Sequence, residues 1–295
     1  NVVTFKSPGV VFRGIEVRNC PGRAFAVLAS DVTLEGCTGD TAYQGAIIVG
    51  DSTGEAISDV IIRDNVFRNM SLAWPLGDRG NTGRNVNGSF NVQNVRDSVI
   101  EGNTLHDGYG EGINIGRGSV NVIVRRNVVH STAHVLLYVN RAEGTQFIEN
   151  VLYHIPNPTY GDTMSAAILI GDEGGPVTSK FPGSHDTIVC GNLVVNAGIL
   201  FDVRNNKANY NTQLLNTVIE NNTFVAGPST RHGIRISANP HGRPHAGSVI
   251  RNNVIDMTYA PNGVEIAVIG QSEGIEFVDN AWSVKPVKAA QSPGD

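Results

Sequence analysis

Four side chains in this sequence have types and spacing that could do chemistry together: Tyr138, Asp202, Arg204 and Arg235. They are found by reading alternate residues outward from the segment Gly112–Gly116, "GINIG", with Ile113 and Ile115 taken as inward-facing. One outward column reads Ala26, Ile48, Asn91, Asn114, Tyr138, Leu169, Asp202, Arg235 and Ala267. The next reads Leu28, Gly50, Gln93, Gly116, Asn140, Gly171, Arg204, Ser237 and Ile269. Both begin and end apolar and turn polar in the middle, the pattern of a surface that holds a ligand centrally. Arginine presents a fork of donors that matches a carboxylate bidentately. Arg204 and Arg235, on adjacent repeats, could clamp a ligand carboxylate, and a base within reach could take a proton from the neighbouring carbon. Tyr138 or His134 could be that base. Glu111, Arg117, Arg141 and Asp172 lie at the ends of these segments, and Asn114 and Asn140 lie within them. The competing account of the arginines is a structural ion pair with Asp202, which sits between them.

Those columns exist only if the chain repeats. With Asn127 at position zero, the repeat places Ile15, Cys37, Asn65, Asn103, Asn150, Asn192, Asn222, Asn253 and Asn280 in the same role. Position −3 is then Phe12, Leu34, Ile62, Ile100, Val124, Phe147, Val189, Ile219, Ile250 and Phe277, all apolar. Position +2 is apolar throughout except Gly39. The spacing runs from 22 to 42 residues, which predicts a stacked-repeat architecture. No window shows the 3.6-residue periodicity of an amphipathic helix. Each unit reads as a strand, an asparagine, a second strand, a variable loop and a third strand of "GINIG" type. Each strand should pair in parallel with its own copy one turn along, at about 4.8 Å. The fold class is therefore all-β: a single-stranded parallel β-helix of about ten turns and three sheets, roughly 50 Å long by that spacing. It should span residues 1–283, with a C-terminal tail over 284–295. Asparagine tolerates the left-handed conformation, so the position-zero residue is expected to turn the corner and to hydrogen-bond along its column. Position −2 alternates Arg13, Glu35, Arg63, Glu101 and Arg125, read as a structural charge ladder.

Composition sets the outer bounds. The net charge of −5 leaves no basic footprint for nucleic acid. No run is apolar enough to span a membrane, and no signal peptide is visible. The chain begins already in strand pattern, suggesting a piece of a longer protein. Three cysteines give no disulfide framework, and Cys37 in the asparagine column is expected to be buried and inert. "GEGINIG" is turn chemistry, since no helix follows it. His106 and His130 occupy equivalent positions on adjacent turns; with no third ligand they read as a surface stack, and no metal site is assigned. Three long excursions, 69–88, 171–187 and 204–217, interrupt the repeat; such loops are often functional. Trp74, in the first, could stack on a sugar ring or plug its own loop.

The segments "VIIRDNVF", "VIEGNTL", "VIENNTF" and "VIRNNVI", alternating with "GINIGRG" and "GIRIS", resemble the right-handed parallel β-helix (pectate-lyase-like) superfamily over nearly the whole chain. Its members include pectate lyases, polygalacturonases, alginate epimerases and lyases, and phage tailspikes. In its terms the strand before the asparagine is PB2, the one after it PB3, and the "GINIG" strand PB1. The resemblance implies a substrate groove along PB1, a polysaccharide partner and an extracellular or cell-surface location. With the arginines it points to a lyase on an acidic, uronate-containing polysaccharide, with Tyr138, Asp202, Arg204 and Arg235 catalytic. Glu111, Asn114, Arg117, His134, Asn140, Arg141 and Asp172 would then bind substrate. A glycoside hydrolase is the second reading. It would need two carboxylates about 5–10 Å apart, and Asp172 with Asp202 is the available pair. A non-catalytic glycan-binding or tail-fibre module is the third. No paired aspartate, "RIK", "DPHD" or "RxPxxR" signature is present, although "HGIRIS" echoes a histidine-glycine segment of polygalacturonases. Calcium suits the class, but nothing in the sequence indicates it, and the oligomeric state is not legible. If the arginines are exposed, replacing both by alanine should abolish binding and leave the melting temperature nearly unchanged.

Overall fold

The computed structural model describes residues 1–72, 89–156, 166–171, 184–204, 214–237, 245–261, 264–269 and 274–283. Trp74, Asp172 and the 284–295 tail lie outside the described residues, as does the side chain of Arg204. Every element among the described residues is a strand, and together they form three parallel sheets. PB1 has ten strands, from Val3–Phe5 to Val264–Ile269. PB3 has ten, from Glu16–Cys20 to Ala281–Trp282. PB2 has eleven, because the two-residue strand Ile57–Ser58 adds a pairing against Val95–Glu101. No helix among the described residues is long and apolar enough to cross a membrane.

The apolar columns make the core. Position −3 from Leu34 to Phe277 is buried, and so is position +2 from Val17 to Ile255. Phe12 and Trp282, at the two ends of the rod, are only partly buried. Gly39, the exception at +2, is small because a Cβ there would lie 3.1 Å from the Phe67 ring of the next turn. That ring fills the space and packs edge-on against Phe25 and Phe90, at centroid distances of 6.2 and 5.8 Å. Truncating Phe147 or Ile100 to alanine is predicted to cost about 2–5 kcal/mol, read as a fall in the urea midpoint at constant slope.

The asparagine column is a continuous hydrogen-bond ladder. From Asn65 to Asn253, each residue donates its backbone N–H and its Nδ2 to Oδ1 of the next asparagine, all at 2.9–3.1 Å. A second Nδ2 hydrogen goes to a position −3 carbonyl of the preceding turn, as from Asn150 to Val124 at 2.9 Å. Cys37 ends the ladder by donating its backbone N–H to Asn65 Oδ1 at 2.8 Å.

The asparagine does not turn the corner, contrary to the sequence expectation. In all ten repeats the left-handed residue is the one before it: Gly14, Gly36, Asp64, Gly102, Arg126, Glu149, Gly191, Asn221, Asn252 and Asp279, with φ of 49–66°. The reason is a division of labour. Chain reversal needs positive φ, while the ladder needs an amide aimed along the rod from an ordinary backbone. Arg126 and Glu149 adopt this conformation at a cost of about 1–2 kcal/mol each, and their exposed side chains pair at 2.8 Å. The position −2 ladder forms as read. Glu35 accepts from Arg13 at 3.1 Å and from Arg63 at 2.8 Å, and Arg125 pairs with Glu101 at 2.7 Å. The hydrogen bond from Arg63 holds the Glu35 carboxyl below the usual range.

Candidate functional site

Strand register places the outward column of PB1 as the alternation implied. Ala26, Ile48, Asn91, Asn114, Tyr138, Leu169, Asp202, Arg235 and Ala267 are partners on successive strands. In the second column Gln93, Gly116, Asn140, Gly171 and Arg204 are likewise partners in sequence. Adjacent members are therefore about 4.8 Å apart along the rod.

The middle of this face is covered rather than open. Asn91, Asn114, Tyr138, Leu169 and Asp202 point away from the rod interior, yet all are buried, with Asp202 at 0% exposure. Tyr138 and Leu169 form an apolar cluster with Val135, separate from the rod core. Leu169 lies between Tyr138 and Asp202 in this column and packs in that cluster, so the tyrosine is one strand removed from the aspartate. Polar groups reach the surface along the margins of the sheet instead. Glu111, His134 and His232 stand at or just before strand starts, Arg117 and Asn140 at strand ends, and all five are partly exposed. Arg141 beside them is buried, its backbone N–H donating to Ser184 Oγ at 2.8 Å. Arg117 and Arg141 turn the PB1 exit corner at φ of 46° and 63°, strained for arginine. Glu111 accepts a hydrogen bond from Asn114 Nδ2 at 2.5 Å.

Asp202 and Arg235 are in direct contact. Arg235 donates Nε to Asp202 Oδ1 at 2.8 Å and a terminal nitrogen to Oδ2 at 2.5 Å. One edge of the guanidinium is thus fixed by a fully buried carboxylate. The side chain is still 21% exposed, and the opposite edge keeps its donors. Both Asp202 oxygens accept from the guanidinium.

His232 joins this pair; from sequence it was noted only within "HGIRIS" and given no role. It begins the strand His232–Ser237 that carries Arg235, and pairs with Ile199 on the Asp202 strand. Burial, and then the Arg235 and Arg231 charges, push its imidazole below the usual histidine value; Asp202 acts in the opposite sense. Its Nδ1 is buried and makes no hydrogen bond among the described residues. The available signal was the spacing from His232 to Arg235, which puts an imidazole and a guanidinium on one PB1 strand. His134 lies three strands away and is not brought to this pair.

Two other histidine groups lie off the face. On PB3, His106 and His130 are register partners with rings stacked at 5.0 Å, and Tyr153 continues the stack at 4.4 Å. At the corner leading into PB2, Glu143, His185 and Asp186 bring one ligand atom each within 4.8 Å of one another.

The sequence profile of the right handed beta helix region matches residues 10–172. No curated protein sequence matches the chain. Among solved structures, a mutant tailspike protein of the E. coli bacteriophage HK620 in complex with a pentasaccharide aligns at TM-score 0.57 and 14% identity, over 95% of this chain and 55% of that one. DFA-IIIase from Arthrobacter chlorophenolicus A6, in complex with DFA-III, aligns at 0.53 and 12%, over 97% and 76%. XylC in complex with xylose aligns at 0.47 and 12%, over 79% and 38%. The chain spans less than two thirds of the first and third of these. At such identities the likeness is one of fold.

Proposed function

This chain belongs to the right-handed β-helix family, and from that premise we propose that it is a carbohydrate-active enzyme that cleaves an acidic polysaccharide by β-elimination along PB1. The observation that carries this is Arg235, held on one edge by buried Asp202 and open on the other, beside an imidazole that burial keeps neutral. The free guanidinium edge binds the uronate carboxylate, where negative charge grows as the neighbouring carbon loses its proton. Neutral His232 takes that proton, Asp202 positions the cation, and Arg204, one strand from Arg235, supplies a second charge. Glu111, Arg117, His134 and Asn140 contact neighbouring sugars along the margins, while buried Asn114 holds Glu111 and buried Arg141 turns the corner beside them. Tyr138, walled off by Leu169, supports the covering cluster and performs no step. The tailspike protein that shares this fold is in complex with a pentasaccharide, which supports a glycan ligand here. A polymer of this kind is met outside the cell or at its surface, where we place the protein.

The test is a panel of acidic glycans, with cleavage followed by the ultraviolet absorbance of the unsaturated product. Absorbance should rise. Saturated reducing ends in its place would sink elimination, and binding without cleavage would leave a glycan-binding module. His232→Asn is predicted to lower turnover about 10²–10⁴-fold, and Tyr138→Phe to change it by less than about threefold. Because the base must be neutral, activity should be lost as pH falls, with a midpoint below the usual histidine value of about 6.5. A midpoint above that value would remove His232 from the role.

A further inference from the structure

We propose that the outer face of PB3 carries a two-imidazole site for a borderline divalent cation, of the nickel, copper(II) or zinc class, ligated by Nε2 of His106 and of His130. The two residues are register partners on adjacent parallel strands, and Tyr153 is the next partner in the same column. Their rings are parallel to within 4° and stacked at a centroid separation of 5.0 Å, and Tyr153 lies on His130 at 4.4 Å and 10°. The stack runs along the rod, so the rings cover one another's faces and present their edges outward. A sugar would need an open face. The edges of imidazoles offer nitrogen lone pairs instead.

The inner nitrogens are already tied. His106 Nδ1 lies 2.6 Å from Asp107 Oδ2, and His130 Nδ1 lies 3.0 Å from Ser131 Oγ. A carboxylate can only accept, so His106 carries its proton on Nδ1 and leaves Nε2 as the lone-pair nitrogen. A second ring nitrogen donating to a carboxylate or hydroxyl is the arrangement that orients metal-bound histidines. The column's next cation, Arg68, is partnered by Asp40 at 3.0 Å and adds little repulsion. Imidazole nitrogen suits nickel, copper and zinc far better than calcium or magnesium. Metal–nitrogen bonds of about 2.0–2.1 Å require the two ring edges to tilt toward each other, a movement within the broad χ2 range of histidine. Water completes the coordination. The site is on a different sheet from the Asp202–Arg235 pair and does not depend on the function proposed for PB1.

The test uses the full chain without an affinity tag, titrated calorimetrically with the chlorides of Ni²⁺, Cu²⁺ and Zn²⁺. One equivalent should bind. His130→Phe keeps an aromatic ring in the stack and removes the ligand nitrogen, so it should melt with the parent and lose affinity about tenfold or more. His106→Phe should do the same, and Asp107→Asn should lose about 10–100-fold by releasing the ring that it orients. His130→Gln gives the same reading should the phenylalanine variant fold poorly. His185→Asn, at the other histidine cluster, should change nothing. The proposal is overturned if none of the three metals binds the parent, if both phenylalanine variants bind normally, or if His185→Asn is the variant that loses affinity.

Discussion

Replacing Arg235 by alanine is expected to lower the free energy of unfolding by about 3–5 kcal/mol. Asp202 is 0% exposed, and both its oxygens are bound by the guanidinium. Removing the arginine strips two charge-assisted hydrogen bonds from a buried carboxylate, and the cost is weaker compensation of that charge rather than a lost surface contact. If that account is right, taking both charges away should undo the damage. Asp202→Leu combined with Arg235→Met should return stability to within about 1 kcal/mol of the parent, or above it, because a well-packed apolar pair often replaces a buried ion pair without loss. Urea midpoints for the two singles and the double provide the cycle. A single Arg235→Ala variant within about 0.5 kcal/mol of the parent would show that the pair is solvated after all. The sequence expectation, for Arg204 and Arg235 replaced together, was a melting temperature nearly unchanged, as for exposed pairs; the burial of Asp202 leads to the opposite prediction for Arg235.

That reversal marks where the sequence stops being legible. Alternation around Ile113 and Ile115 was enough to align the PB1 column from Ala26 to Ala267, because a parallel ladder repeats its inward residues and the inward residues are apolar. It told which way Tyr138 and Asp202 point. It could not tell that both are buried, because burial of an outward residue does not follow from the repeat's period. The corners were legible but misread. Six residues before each asparagine position stand Gly9, Asp31, Asp59, Asp97, Asn121, Gly144, Asp186, Asn216, Gly247 and Gly274, all with φ of 46–86°. Only glycine, aspartate and asparagine occupy that column, the residues that adopt left-handed backbone most readily. It is a clearer corner signal than the asparagine itself. His232, noted only within "HGIRIS", was given no role for a different reason: one histidine at a strand start acquires meaning only when Asp202 and Arg235 are seen in contact on the same and the neighbouring strand.

Asn150→Ala is expected to cost about 3–6 kcal/mol, from two or more buried groups orphaned at about 1–3 kcal/mol each. Asn150 is fully buried in the middle of the ladder. Its Oδ1 accepts from the Asn127 backbone N–H at 3.0 Å and from Asn127 Nδ2 at 3.1 Å. Its own Nδ2 serves the Val124 carbonyl at 2.9 Å and Asn192 Oδ1 at 3.0 Å. Alanine leaves the Asn127 N–H and the Val124 carbonyl without those partners, in a place water does not reach. The same change at Asn280 removes the acceptor for Asn253 and the donor to the Ile250 carbonyl. That end of the ladder is only partly buried, so water can replace the amide and the cost should fall to about 1 kcal/mol. Position along the rod, rather than the number of bonds, should therefore set the loss. Because each turn contacts chiefly its neighbours, a break at Asn150 should also uncouple the two halves. Amide exchange should then show strands on one side of residue 150 opening without those on the other. Equal losses at Asn150 and Asn280, with exchange still uniform along the rod, would mean that apolar packing alone holds the turns in register and that the amide ladder is incidental to it.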